Sequence, residues 1–178
     1  MSFGKAGTSE EYLGAALKNN IARDRVVIAS KVYFNPGRLS SAAIHREIDG
    51  TLQRLGTDYL DLYIIHRFDY ETPIEETMEA LNDLVKAGKV RALGASAMYG
   101  YQFYNMQLTA KQHGLAQFEA MGNHYNLLYR EDEREMIPIC QQREEIVEKI
   151  DKRRIGMLLP IRCFFIIFYG GLCNLFSV

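Results

Sequence analysis

Polar residues follow several short apolar runs of this sequence, each at the point where the run ends. They are Lys31 after "RVVIAS", His66 after "YLDLYII", Ser96 after "VRALGA" and Asn123 after "LAQFEAMG". A histidine can carry a proton near neutral pH, so a histidine that closes a buried strand is a candidate for acid–base chemistry. The charged side chain of Lys31 would lie beside it, and these positions form a candidate site.

The two charged candidates also have a structural interpretation. A lone histidine at a strand end is more often a hydrogen-bonded structural residue, and a lysine after a strand is usually a solvated edge residue. The site interpretation gains weight because Lys31 and His66 end successive strands of one predicted sheet. We therefore predict that both side chains point into one cavity, with Ser96 on its rim.

The elements that would position these residues are helices and short strands in alternation. The predicted strands are "RVVIAS" (25–30), "YLDLYII" (59–65), "VRALGAS" (90–96) and "LAQFEAMG" (115–122). A capping-box pattern, Thr8 followed by Glu11, predicts a first helix from about Ser9. Thr72 and Gly88 are predicted to begin and end the third helix. Ile44, Ile48, Leu52 and Leu55 form the apolar stripe of the second.

Regular alternation of this kind predicts βαβ units and a parallel sheet, because parallel strands need a crossover connection that a helix supplies. Doubly wound sheets and (β/α)8 barrels both answer this description. In either fold the carboxyl ends of the strands carry the chemistry, which is where the candidate residues fall.

Composition limits the class of protein. The chain has 178 residues, 48% hydrophobic and 24% charged, with a formal net charge of −1, which is typical of a soluble globular protein. Dispersed lysines and arginines argue against a nucleic-acid partner. Cys140, Cys163 and Cys173 form no C-x-x-C pair, so we expect neither a disulfide framework nor a metal site. A cytoplasmic protein without a secretory signal is predicted.

Four blocks of the sequence resemble the aldo-keto reductases, in the branch related to the potassium-channel β subunits. They are "VVIASKV", "LGTDYLDLYIIHRFD", "TPIEETMEALNDLVKAGKVRALGAS" and "HYNLLYREDEREMIPIC", and the resemblance runs from residue 2 to about 142. The resemblance implies a (β/α)8 barrel that binds NADPH without a Rossmann domain. It also implies reduction of a small aldehyde or ketone by hydride transfer from the nicotinamide.

The resemblance assigns a role to each candidate. Lys31 matches the lysine that lowers the pKa of the family's proton-donating tyrosine, and His66 matches the histidine that orients the carbonyl oxygen. Ser96 matches the residue that hydrogen-bonds the nicotinamide carboxamide. The amide of Asn123 would substitute in part for the glutamine that usually contacts this carboxamide in the family. Donors aimed at the carbonyl oxygen stabilise the negative charge that hydride addition builds there.

The sequence also departs from the family pattern. The tyrosine, its aspartate partner and the first two strands are expected upstream of Met1, Ala97 replaces a frequent asparagine or serine, and Gly122 stands where a glutamine is usual. A complete barrel takes about 250 residues, so we expect about four or five of the eight strands here. We expect impaired turnover from the chain alone. The alternative is a non-catalytic fragment or interaction module.

The last residues of the chain have no counterpart in the family. We assign 1–160 to an incomplete barrel, with "IGMLLP" (155–160) as a candidate strand, and 161–178 to an apolar tail. The apolar part of the tail is too short for a membrane-spanning helix, which needs about 20 residues. The open strand edges of a partial barrel would allow self-association.

Overall fold

The computed structural model describes residues 7–18 and 20–142, and the backbone of 143–147, 165–169 and 172–176. Its helices are α1 (Thr8–Leu17), α2 (Ser41–Leu55), α3 (Ile74–Lys86), α4 (Gly100–Gln112) and α5 (Met136–Val147). Its strands are β1 (Ala29–Val32), β2 (Leu60–Ile65), β3 (Val90–Ser96), β4 (Phe118–Gly122), β5 (Phe165–Tyr169) and β6 (Leu172–Phe176). Helices and strands alternate from α1 to α5, as the sequence predicts.

Strands β1 to β4 form one sheet in chain order, and every neighbouring pair is parallel. Lys31 lies opposite Ile64, and Ile64 lies opposite Gly94. Side chains alternate between the two faces of a strand, so this register decides which residues share a face. The parallel sheet with one helix between each pair of strands confirms the βαβ prediction.

One face of the sheet packs against the helices and forms the hydrophobic core. The strands contribute Val32, Tyr63, Ile65, Leu93, Ala95 and Met121, all buried. The predicted stripe of α2 is confirmed, since Ile44, Ile48, Leu52 and Leu55 are all buried. Gly88 follows α3 in the left-handed conformation with φ 73°, as the sequence predicts.

The first predicted strand is misplaced. The sequence predicts it at 25–30, and the structure has it at Ala29–Val32. Just before it, the Asp61 carboxylate accepts the N–H of Ile28 at 2.9 Å, so a side chain occupies a backbone donor that a strand ladder would use. Lys31 consequently lies inside β1 instead of following it.

The predicted threonine N-caps are wrong for two helices. Thr8 is the first residue of α1, and Gly7 precedes it with φ 90°. Helix α3 starts after Pro73. The hydroxyl of Thr72 donates instead to the Asp69 carboxylate at 2.8 Å, so this side chain belongs to the preceding loop.

Strand β4 is shorter than the predicted range 115–122 and spans Phe118–Gly122. The N–H of Ala116 donates to the Asn82 side chain at 3.1 Å. This contact holds the preceding residues in a loop that ties the end of α4 to α3.

Near the end of the chain, β5 and β6 pair as an antiparallel hairpin. The candidate strand at 155–160 lies outside the described residues, and the division at residue 160 stays a prediction. Within the described part of the chain, no helix combines the length and the apolar character that crossing a membrane requires.

Candidate functional site

Lys31 lies on the sheet face that points away from the helices. Its neighbours Ser30 and Val32 face the helix layer, since the Ser30 hydroxyl donates to Glu10 of α1 and Val32 is buried in the core. Alternation along the strand therefore directs Lys31 to the opposite face. Its partner in the register, Ile64 of β2, is on that face too.

His66 follows β2 directly and continues its hydrogen-bonding pattern. Its N–H donates to the carbonyl of Val32 at 2.9 Å, which fixes the backbone at the carboxyl end of β1 and β2. Being two residues after Ile64, His66 lies on the same face as Lys31. Both residues are among those that line one open cleft of about 370 Å³ at the β1 side of the sheet, a cleft that also borders α1 and α2 through residues such as Glu10 and Arg54. Their predicted chemical roles stay predictions.

The environment of His66 favours its neutral form. Burial lowers the pKa of the imidazole, and the positive charge of Lys31 lowers it further. Nδ1 is buried, and no group in the described part of the chain hydrogen-bonds it. The ring of Phe34 meets the imidazole edge-on, with ring centroids 4.9 Å apart. A neutral imidazole in this position can donate one hydrogen bond from Nε2 when Nδ1 is unprotonated.

Ser96 and Asn123 lie at the carboxyl ends of β3 and β4, further along the same sheet edge. The Ser96 hydroxyl donates to the carbonyl of Gly122. Asn123 accepts the N–H of Ala97 at 2.8 Å and donates to Asp132 at 3.0 Å. Neither residue is among those that line the cleft of Lys31 and His66. Their roles toward a cofactor also stay predictions.

Ala97 has φ 47°, a left-handed backbone conformation that asparagine tolerates better than alanine. The hydrogen bond from its N–H to Asn123 holds it there. Sequence reasoning noted the alanine as a departure from the family, and the backbone shows a physical cost of that departure.

Sequence reasoning missed Asp69, which joins the loops that carry the site. Its carboxylate is buried and accepts three hydrogen bonds, from the N–H of Leu39 at 3.2 Å, the N–H of Glu71 at 3.0 Å and the Thr72 hydroxyl. Burial alone would raise the pKa of Asp69, but these hydrogen bonds and the charge of Arg38 outweigh it and the pKa is lowered. The bond to Glu71, two residues on, is an Asx-turn contact that the sequence could have suggested.

Comparison with known proteins identifies the family. The model of the aldo/keto reductase family matches residues 2–147, most of the chain. The chain belongs to this family.

Three curated relatives illustrate the similarity. An aldo-keto reductase of Fusarium vanettenii is 47% identical, in a match that covers 75% of this chain and 44% of the relative. An aldo-keto reductase of Metarhizium robertsii is 42% identical, with coverages of 76% and 44%. The versiconal hemiacetal acetate reductase of Aspergillus parasiticus is 44% identical, with coverages of 75% and 46%. The chain thus spans less than half the length of these relatives.

Membership in the aldo/keto reductases decides between the two folds that the sequence left open. The four parallel strands and their helices are part of a (β/α)8 barrel. The family consists of oxidoreductases that act on carbonyl groups with a nicotinamide cofactor. The residues at the sheet edge fit such a cofactor in part, because Asn123 keeps one N–H and one lone pair beyond its two contacts. A side-chain carbon at Gly122 would meet only the Ser96 hydroxyl, at 3.9 Å, so space remains there.

Proposed function

We propose that this aldo/keto reductase chain carries the carbonyl-binding part of an NADPH-dependent reductase of aldehydes or ketones. Lys31 and His66 are its catalytic residues, and Ser96 and Asn123 face the nicotinamide. One observation carries the proposal. Lys31 and His66 come from adjacent parallel strands, share a face and line the same cleft.

The electrostatics of His66 suit a residue that orients a carbonyl group. Burial and the charge of Lys31 lower its pKa, so the imidazole is neutral near pH 7. A neutral imidazole donates an N–H to the carbonyl oxygen without giving up a full proton. Since negative charge grows on that oxygen during reduction, the hydrogen bond strengthens in the transition state.

Lys31 supplies the fixed positive charge of the site. Its charge adds to the effect of burial in lowering the pKa of His66, and it favours negative charge on a neighbouring oxygen, including that of a phenolic proton donor. The bound cofactor supplies the hydride that adds to the carbonyl carbon. The carbonyl oxygen would take its proton from the phenolic donor that the family resemblance implies, and the product would be an alcohol.

The first prediction concerns these two residues. The chain is joined at both ends to the flanking segments of the Fusarium vanettenii relative, and oxidation of NADPH by 4-nitrobenzaldehyde is followed. His66→Ala and Lys31→Met should each lower kcat/KM by about 10²–10⁴, the usual contribution of a positioned acid–base group. NADH replaces NADPH in a parallel assay to test the cofactor.

The control is His113→Ala, since this histidine is exposed at the end of α4. It should leave kcat/KM unchanged. Full activity in His66→Ala, or an equal loss in His113→Ala, would refute the assigned roles.

A further inference from the structure

The side chain of Asn123 is held by two partners of opposite hydrogen-bonding character. The N–H of Ala97 can only donate, and it reaches Oδ1 of Asn123 at 2.8 Å. The carboxylate of Asp132, when ionised, can only accept, and it takes an N–H of the Asn123 side chain at 3.0 Å. Turning the amide over would set nitrogen against an N–H and oxygen against a carboxylate. The amide therefore has one orientation.

Asp132 holds this amide from a position that does not suit a carboxylate. It lies in a short 3-10 helix at Glu131–Glu133, and its Oδ2 atom is buried with no hydrogen-bond partner in the described part of the chain. Burial raises the pKa of Asp132, although the hydrogen bond from Asn123 and the charge of His124 oppose the rise. A buried oxygen without a partner opposes folding, so its position needs an explanation. The hydrogen bond that Asp132 does make goes to Asn123.

Fixing the amide also fixes what Asn123 offers to a ligand. A side-chain amide has two N–H groups and two lone pairs on its oxygen. The contacts with Ala97 and Asp132 use one of each, so one N–H and one lone pair remain, in directions that the two contacts set. A primary carboxamide carries the same pair of groups, an N–H donor and a carbonyl acceptor, and is complementary to them.

We propose that Asp132 is a positioning residue for the nicotinamide, and that it acts by fixing the amide of Asn123 that meets the carboxamide of the cofactor. This inference rests on the proposed function, because it assumes that Asn123 faces the nicotinamide. An amide that is already oriented loses little freedom when the cofactor binds, so more of its hydrogen-bond energy appears as affinity. Without Asp132, the contact with Ala97 alone would leave the amide to turn.

The test separates the nicotinamide from the rest of the cofactor. The chain joined to the flanking segments of the Fusarium vanettenii relative is titrated by calorimetry with NADPH and with 2′-phospho-ADP-ribose, which is NADPH without its nicotinamide. Reduced nicotinamide is uncharged, so removing a carboxylate has no direct charge effect on it. The dissociation constant of 2′-phospho-ADP-ribose divided by that of NADPH gives a ratio that measures what the nicotinamide contributes.

Asp132→Ala should lower this ratio by about two- to tenfold, the usual contribution of one hydrogen bond, and should leave the binding of 2′-phospho-ADP-ribose unchanged. Asp132→Asn should keep the ratio within about twofold, because an amide oxygen can accept the same hydrogen bond. Glu131→Ala is the matched control, since it removes an exposed carboxylate from the same short helix. It should leave the ratio unchanged.

A double variant shows whether Asp132 acts through Asn123. Asn123→Ala should lower the ratio at least as much as Asp132→Ala does. Adding Asp132→Ala to it should lower the ratio no further, because two residues that act as one unit are not additive. Additive losses, an unchanged ratio in Asp132→Ala, or an equal weakening of both ligands by Asp132→Ala would overturn the inference.

The same titrations distinguish failure of this inference from failure of the proposed function. If Asn123→Ala lowers the ratio and Asp132→Ala does not, only the inference is wrong. If neither substitution changes the ratio, or the unsubstituted joined enzyme does not bind NADPH, the role that the proposed function gives to Asn123 is wrong, and the inference falls with it.

A second measurement needs no cofactor. The two side-chain N–H signals of Asn123 are observed by heteronuclear NMR on the chain as given, and they are assigned from their loss in Asn123→Ala. One proton should lie downfield because it is donated to a carboxylate, and it should move upfield in Asp132→Ala. Glu131→Ala should not move it. Signals that Asp132→Ala leaves in place would contradict the contact on which the inference depends.

Discussion

At the residue scale, Asp69 has a larger part in the site than its position in a loop suggests. One carboxylate holds backbone groups of the β1–α2 loop and of its own loop, so it connects the segments that follow Lys31 and His66. A buried acceptor with several donors is costly to remove, because each donor is left without a partner.

We predict that Asp69→Ala lowers the free energy of unfolding by about 3 kcal/mol, measured by urea denaturation. Glu71→Ala, the matched control, should stay within about 0.5 kcal/mol, because the Glu71 carboxylate is 74% exposed. The folded-state pKa of Asp69 is lowered, so its contribution is present above the ordinary value of 3.8 and is lost as the pH falls below it. An equal effect of the two substitutions at pH 7 would contradict this account.

The sequence could predict some of these residues and not others. The position of Lys31 and His66 near the carboxyl ends of β1 and β2 could be predicted from the apolar runs, and their chemical roles stay predictions based on the rule that chemistry lies at these ends. The contacts of Asp69 with Leu39, and of Ala97 with Asn123, join residues far apart in the chain. Their partners are set by how the loops pack, which no local pattern records.

At the element scale, the backbone of α1 at Gly14 packs closely against the backbone at the end of α2. A side-chain carbon at Gly14 would lie 2.6 Å from the backbone oxygen of Arg54 and 2.8 Å from that of Leu55. Only a residue without a side chain allows the helix to come so near. Glu10 of α1 also pairs with Arg54 at 2.7 Å, which fixes the same contact from one turn earlier.

This contact leads to a prediction for two glycine substitutions. Gly14→Ala should lower the free energy of unfolding by about 1–3 kcal/mol, because backbone must move to admit the methyl group. Gly50→Ala should instead raise it by up to about 1 kcal/mol, since alanine favours the helix and the methyl would meet only the end of the Arg54 side chain, with Nη1 2.8 Å away. Thermal unfolding of both variants measures the difference. If both substitutions lowered the free energy of unfolding, or both raised it, the packing of α1 on α2 described above would be wrong.

The helices and strands differ in how well the sequence predicts them. Helix α2 and strand β3 match their predictions because a strong apolar pattern coincides with the element. The predicted range of β1 is wrong because the side chain of Asp61, in the next strand, accepts the backbone N–H of Ile28 just before β1 begins. Propensity and spacing are local, whereas that hydrogen bond depends on the assembled sheet.

At the scale of the whole molecule, the alternation of elements predicts a parallel sheet but not whether the sheet closes. Both a doubly wound sheet and a barrel contain such units. Membership in the aldo/keto reductase family identifies the fold as a (β/α)8 barrel. The central claim of this account is that the barrel brings Lys31 and His66 together as one electrostatically coupled site.

The most direct test of that claim is the pKa of His66, measured by NMR titration of the imidazole resonances. The signal is assigned from its loss in His66→Gln, since the chain has 4 histidines. The account predicts a pKa below the ordinary 6.5, because burial and the charge of Lys31 both disfavour the imidazolium. Lys31→Met should raise that pKa, and Lys111→Met, at an exposed position of α4, should leave it unchanged. An ordinary pKa that does not respond to Lys31→Met would contradict the account.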